Sequence, residues 1–375
     1  MEKPNKIIPV LKPTYSQKIK DELIKVLDSG WSGYGPKTEE FQIKFADVVG
    51  SKYAIATNSG TSALDLCLKA YGIKGGELIT TPMTFVSDAI VGEWNGMDVT
   101  FADIDPDSLC LDPKSLVVTE KTKAIIAVDS HGRLADYDGI KKAATIAYPD
   151  AMGAARPLII EDAAHAMLTP GAGKGGDITI WSFQAVKSMP IFDGGMITTN
   201  DERIYNKLKT LTWLGVEKST YDRAGKKRYT WDYDITQSEG IKAYMTDVQS
   251  IIGLGQLEIL PELLAKRRAV QSVYNEAFRN IKQIKLPQYS ATVQYYTPQV
   301  ERRDALSDFL ADNDIATSVH FKPLSEMTYW RKAIKRPIPV TDRVWKNLLS
   351  LPVCHDITWT EVEYIISKVK EFYNA

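Results

Sequence analysis

Three cysteines, Cys67, Cys110 and Cys354, are all that a chain of 375 residues contains, and they stand far apart with no CxxC pair among them. That argues against a disulfide framework and against a structural zinc, and it fits a reducing, cytoplasmic setting. An excess of charge is missing as well. With 46 basic against 47 acidic residues the net charge is -1, so nothing points to a nucleic acid as the main partner, and any phosphate has to be bound locally. No segment reaches about 18 consecutive apolar residues, and the start, MEKPNKIIPVLKP, lacks a long apolar stretch. Neither membrane spanning nor secretion is expected. Internal repeats and low-complexity segments are absent too.

What is present is enough chain for two packed units. Between residues 50 and 201 short β-rich runs alternate with helical patterns: KYAIAT, ELITT, DVTFADI, KAIIAVD, PLIIED, DITIWSF and GMITTN. This predicts an α/β unit with a mostly parallel sheet covered by helices on both faces. In TSALDLCLKAYG the apolar Ala63, Leu64, Cys67, Leu68 and Tyr71 share one face of a 3.6-residue period, with Gly72 placed to stop the helix. TFVSDAIVGEW reads as another helix. From about 246 a long helix is expected, kinked or broken at Pro261, leading to a smaller α+β unit that ends in the amphipathic helix TEVEYIISKVKEFY. The boundaries are therefore 1–245 and 246–375. The polar stretch 218–234 reads as an exposed loop between them.

Open parallel sheets bind ligands at the carboxyl ends of their strands. Asp162 ends one strand-like run and Lys187 follows the next, in a stretch short of charge. TNSGTSAL adds a strand end followed by Ser, Gly and Thr at a helix start, where free N–H groups and the helix dipole favour an anion and Gly60 admits a close approach. Each feature has a plain alternative. Ser or Thr at a helix start is usually a cap, an Asp after a strand a turn residue, a lone lysine a solvated charge. Pyridoxal 5'-phosphate explains all three together: it needs a lysine to hold it as a Schiff base, a carboxylate for its ring nitrogen and an anion site for its phosphate. Lys187 would be the Schiff-base and proton-transfer residue, and Asp162 the ring partner. His165 is either a hydrogen-bond donor to the cofactor's phenolic oxygen or a structural histidine. Ser182 could add a hydroxyl to the phosphate.

The segments GPKTEEFQIKFADVVGSKYAIATNSGTSALDLCLKA, IIEDAAHA, GDITIWSFQAVK, DGGMITTND, GIKAYMTDVQSIIGLGQLEIL and LLSLPVCHDITWTEVEYI are similar, in order and spacing, to the DegT/DnrJ/EryC1/StrS family of sugar aminotransferases, from about residue 8 to 373. The resemblance implies the aspartate-aminotransferase fold (PLP fold type I): a mostly parallel seven-stranded sheet with a smaller C-terminal α+β domain. It also implies a homodimer with shared active sites, and pyridoxal 5'-phosphate passing through pyridoxamine 5'-phosphate in the half-reaction. The amino group would move from an amino acid, commonly glutamate, to a keto-sugar carried on a nucleotide.

Position by position, Lys187 matches the family's Schiff-base lysine, Asp162 the ring-nitrogen partner, and His165 a Gln or His near the cofactor oxygen. Gly60, Thr61 and Ser182 match phosphate contacts, and Phe85 an aromatic ring stacked on the cofactor. Lys242 falls where an Asn or Lys of the neighbouring subunit reaches the phosphate, and His320 lies in SVHFKPLSEMTYW, which borders the sugar pocket in the family. The chain departs from the pattern at Gln184 and Asp129, where His is common, and at Phe192, which replaces a Gly. A sister branch dehydrates sugars with histidine in place of the lysine, and Lys187 favours aminotransfer over it. An idle, ligand-sensing relative is the remaining alternative.

Overall fold

In the computed structural model of the protein, residue 4 and residues 6–146, 156–224 and 231–374 are described. Helices α1 (Gln17–Asp28) and α2 (Pro36–Val49) precede the alternating region: β1 (Tyr53–Thr57), α3 (Gly60–Ala70), β2 (Glu77–Thr80), α4 (Ser87–Trp94), β3 (Asp98–Phe101), β4 (Thr122–Val128), α5 (Tyr137–Ile146), β5 (Leu158–Asp162), β6 (Ile178–Ser182) and β7 (Gly195–Thr199). Then come α6 (Glu202–Leu211), α7 (Thr220–Arg223) and the long α8 (Asp247–Phe278). The C-terminal part holds β8 (Ile284–Lys285), β9 (Gln299–Val300), α9 (Arg303–Asp312), α10 (Pro339–Val344) and α11 (Trp359–Tyr373).

All seven β-rich runs enter one sheet of order β1-β7-β6-β5-β4-β2-β3. Six strands run the same way and β7 runs against both its neighbours, pairing Thr57 and Ser182 with Gly195. The reversal puts the start of β7 beside the ends of β1 and β6. Every residue of β5, β6 and β7 is buried, as expected for strands covered on both faces. Ile160, Ile180 and Ile197 pack on one side against α3 and α6. Trp181 and Met196 pack on the other with Phe41, Phe45 and Phe183. There the rings meet edge-on or tilted at 5.4–5.9 Å, contacts worth about 0.5–1.5 kcal/mol a pair beyond the area they bury.

A second core joins β8, β9, α9 and α11 to the end of α8, through Tyr274, Phe278, Tyr296 and Ile365. Ile8 belongs to it as well, exchanging backbone hydrogen bonds with Asp314 and Ala316. Asp103, just past β3, caps α10 by accepting from the N–H groups of Val340 and Thr341.

Two expectations change. Helix α8 is not broken at Pro261 but runs through it for 32 residues. An interior proline costs about 3 kcal/mol. Here a capping box of Thr246 with Gln249 starts the helix, and Leu260, Leu263 and Leu264 are buried on both sides of the proline, which offsets that cost. The helix read in TFVSDAIVGEW begins only at Ser87, leaving Thr84 and Phe85 in the loop before it. Of the polar stretch 218–234, residues 225–230 lie outside the described residues; Trp231 and Tyr233 are exposed, and α7 forms a single turn. Among the described residues no helix is long and apolar enough to cross a membrane.

Candidate active site

The ends of β4, β5 and β6, with the first residues of α3, open onto a cavity of about 470 Å³. Lys187, Asp162, His165 and Ser182 line it from the sheet side, Gly60 and Thr61 from α3, and Phe85 and His320 from loops. Lys242 is not among the residues around it. Lys242 is exposed, its ammonium 5.6 Å from the centre of the Trp213 ring, and Trp213 lines a second cavity of about 310 Å³ with Trp31 and Tyr34.

Asp162 is the last residue of β5. It is 5% exposed, and one of its oxygens accepts the Ala164 N–H at 2.8 Å. Burial raises its carboxyl, while the Ala164 N–H and Lys187 pull it down. Lys187 stands in the connection between β6 and β7, which the buried Gln294 holds from the C-terminal part. The Gln294 amide donates to the Val186 carbonyl at 2.8 Å, and its oxygen accepts from the Ser188 hydroxyl at 2.7 Å, so the residues on either side of Lys187 are fixed by one side chain. Among the described residues nothing forms a hydrogen bond or an ion pair with the Lys187 ammonium. Burial lowers it to about 8, against Asp162 and Asp88, which raise it. A lysine so placed is a free base for about a tenth of the time at pH 7, far more often than an ordinary lysine.

Ser59 caps α3, its hydroxyl accepting the Ser62 N–H at 3.1 Å. The N–H groups of Gly60 and Thr61 follow it with no partner inside the helix. A Cβ on Gly60 would lie 3.0 Å from that of Ser182, and one on Gly195 only 2.6 Å from the Ser59 carbonyl carbon. Glycine at both positions lets the helix start and two strand ends crowd together around one spot rich in N–H and O–H groups. Such a spot suits an anion.

The opposite wall is aromatic. His165 Nδ1 accepts the His131 N–H at 3.4 Å, and its ring stacks at 5.8 Å on Phe321 and meets Tyr295 edge-on. Burial, then Lys187, keeps the His165 imidazole neutral, well below its ordinary pKa. His320 stacks on Tyr295 at 3.7 Å and bonds Ser350 through Nδ1; burial and Lys187 lower it to about 4. Phe85 is 59% exposed at the mouth. Sequence reasoning missed Thr84, Tyr295 and Phe321, which also line the cavity, as does Ser59 of the TNSGTSAL helix start. None of the three carries a signal in the sequence, because each reaches the cavity from a loop placed there by the fold.

The departures from the family pattern have physical consequences. Gln184 lines the cavity. Phe192 has φ 66°, the left-handed region where a glycine is unstrained and a bulky residue costs about 1–2 kcal/mol; its ring, 5.2 Å from that of Tyr15, offsets part of this. Asp129 is fully buried beside Glu161, whose carboxylate accepts the N–H groups of Gly173, Gly175 and Gly176. Asp129 Oδ1 accepts from Ala135 N–H and the Tyr137 hydroxyl, while Oδ2 has no partner. Burial, then Glu161, raises the Asp129 carboxyl well above the usual range.

Comparisons with known proteins agree with this fold. The sequence profile of the DegT/DnrJ/EryC1/StrS aminotransferase family matches residues 13–370. The spore coat polysaccharide biosynthesis protein SpsC of Bacillus subtilis is 33% identical over 392 aligned residues, covering 99% of this chain and 98% of SpsC. Among solved structures, the sugar aminotransferase CalS13 from Micromonospora echinospora superposes with a TM-score of 0.87 at 26% identity, over 97% of this chain and all (100%) of CalS13. DesI, solved in the presence of its TDP-sugar product, superposes with a TM-score of 0.87 at 25% identity, over 100% of this chain and 94% of DesI.

Proposed function

The chain belongs to the DegT/DnrJ/EryC1/StrS aminotransferase family and is a PLP-dependent sugar aminotransferase, and from that premise we propose that it moves an amino group from glutamate to a keto-deoxysugar carried on a nucleotide. The observation that carries the reading is the meeting of Lys187 and Asp162 in one cavity, with an anion site beside them. A nucleotide carrier is supported by the TDP-sugar product of DesI. SpsC, a spore coat polysaccharide biosynthesis protein, supports a sugar destined for a surface polymer.

The donor set fits pyridoxal 5'-phosphate: an uncommitted amine, a buried carboxylate and a helix start crowded by glycines. When bound, the cofactor supplies an aldehyde that carries the amino group and a ring that takes up the electrons released at the substrate carbon. Lys187 would be its covalent anchor and, once released as an amine, the base, because an amine lowered to about 8 can take a proton from the donor's α-carbon and return one to the sugar carbon. Asp162, ionised, would hold a proton on the ring nitrogen. Gly60, Thr61 and Ser182 would hold the phosphate, with Lys242 of a second subunit completing that site in a homodimer. His165, a neutral imidazole, would hydrogen-bond the phenolic oxygen, Phe85 would pack on the ring, and His320 would contact the sugar.

The test is reconstitution of the purified protein with pyridoxal 5'-phosphate, then incubation with glutamate and a panel of nucleotide-linked keto-sugars, with mass detection of 2-oxoglutarate and the amino-sugar. A protein that binds the cofactor with visible absorbance yet aminates only free sugars would overturn the nucleotide-linked reading.

A further inference from the structure

Behind the cavity lies a carboxyl that the proposed reaction does not use. Asp88, in the first turn of α4, is 0% exposed. One of its oxygens accepts the Thr84 hydroxyl, while Oδ1 is fully buried with no donor to it. Its polar neighbour is the Asp162 carboxyl, within hydrogen-bonding reach. Two buried carboxylates in contact do not both ionise, because like charges repel strongly where water is excluded. One of them keeps a proton, and the surroundings decide which. Asp162 lines the cavity, faces Lys187 and accepts the Ala164 N–H. Asp88 has a single hydroxyl for company. The dipole of α4 favours charge on Asp88, but by a small part of what an unpaired buried carboxylate costs.

We propose that Asp88 is held as a neutral acid that donates its proton to Asp162, a positioning residue that leaves Asp162 as the single negative charge behind the cavity. Thr84 orients the Asp88 carboxyl by donating to one oxygen, and the other carboxyl oxygen serves Asp162. Asp162 is then fixed between two donors, the acid and the Ala164 N–H, with its charge facing the cavity. The ionisable groups around the pair are Lys187, from the connection between β6 and β7, and Glu161 on β5. What this means for the cofactor ring rests on the function proposed above. The protonation itself does not.

Infrared difference spectra of the cofactor-free protein, wild type minus Asp88→Asn at neutral pH, read the protonation directly. A carboxylic-acid C=O band lost in the variant is expected; Asp129 contributes to both spectra and cancels. On the loaded protein, Asp88→Asn replaces a neutral donor by a neutral donor. The pH at which the bound cofactor's visible absorbance titrates should stay put, with turnover within about threefold of wild type, while Asp88→Ala, which has no donor, loses at least about tenfold. Circular dichroism and a melting curve establish that both variants are folded. Absence of a lost band, or a titration in Asp88→Asn displaced to lower pH as removal of a real charge requires, overturns the proposal. A protein that shows the band but takes up no pyridoxal phosphate refutes the function proposed above and leaves the carboxyl pair standing.

Discussion

Replacing Gln294 by alanine tests whether Lys187, the proposed catalytic lysine, is held in place from the C-terminal part of the chain. The substitution deletes two hydrogen bonds, at 2.8 Å to the Val186 carbonyl and 2.7 Å from the Ser188 hydroxyl, at a residue 0% exposed. Each contributes about 1 kcal/mol net. The Val186 carbonyl is only part-buried and can turn to water; the Ser188 hydroxyl, at 3% exposure, cannot. The space left behind adds a packing loss of about 1–2 kcal/mol, at the low end for truncations of buried side chains. The expected destabilisation is about 3 kcal/mol, read from urea unfolding with an unchanged slope. Ser188→Ala should cost about 1 kcal/mol, and the double mutant should show a coupling of about 1 kcal/mol, because both changes delete the same bond. The kinetic effect is separate. A lysine displaced by about 1 Å loses on the order of a hundredfold in rate, so kcat should fall ten- to a hundredfold well below the melting temperature while KM for the donor hardly moves. Normal kcat in a destabilised variant would show that Gln294 serves the fold alone, and full stability with additive Ser188 and Gln294 effects would refute the clamp altogether.

Four further outcomes are expected. Lys187→Ala should have no turnover with its fold intact. Mixed by co-refolding with Lys242→Ala, it should regain activity at about a quarter of all sites, since about half of randomly paired dimers are mixed and one site in each has both lysines; activity no higher than the average of the two variants would remove the shared site. In Asp162→Asn the turnover rate should fall far more than cofactor affinity does, and equal rates in variant and wild type would contradict its assigned role. Asp129→Asn should stabilise the protein increasingly as pH rises: with a raised carboxyl, the folded chain keeps a proton that the unfolded chain releases above about 4. The aspartate's contribution is thus complete below that pH and is lost on the way up, whereas asparagine does not titrate. Melting temperatures of the two proteins that run parallel from pH 4 to 8 would be the refuting result.

The strands were legible because those buried on both faces are short apolar runs that need no period to be recognised, as in PLIIED and DITIWSF. Their directions were not: GMITTN is buried throughout, and such a run carries no mark of which way it points. Thr84 and Phe85 continue the apolar pattern of α4 but sit before its first turn. The passage of α8 through Pro261 depends on leucines meeting partners distant in sequence. Lys187 and Asp162 could be found because their chemistry is rare at strand ends. Asp88 looks like any acid at a helix start, and only the fold reveals the carboxyl it faces.

For protein engineering, the second core is not a cassette. A chimera joined near residue 245, to import another relative's C-terminal part and with it another sugar preference, severs three connections at once. Ile8 is left to a core that was not built for it. Asp103 is left without the α10 N–H groups it caps. Lys187 is left to whatever the donor sequence offers in place of Gln294. Grafts that keep these three contacts, by carrying residue 8 with the imported part and preserving Gln294 and the start of α10, respect the seams along which this molecule is sewn.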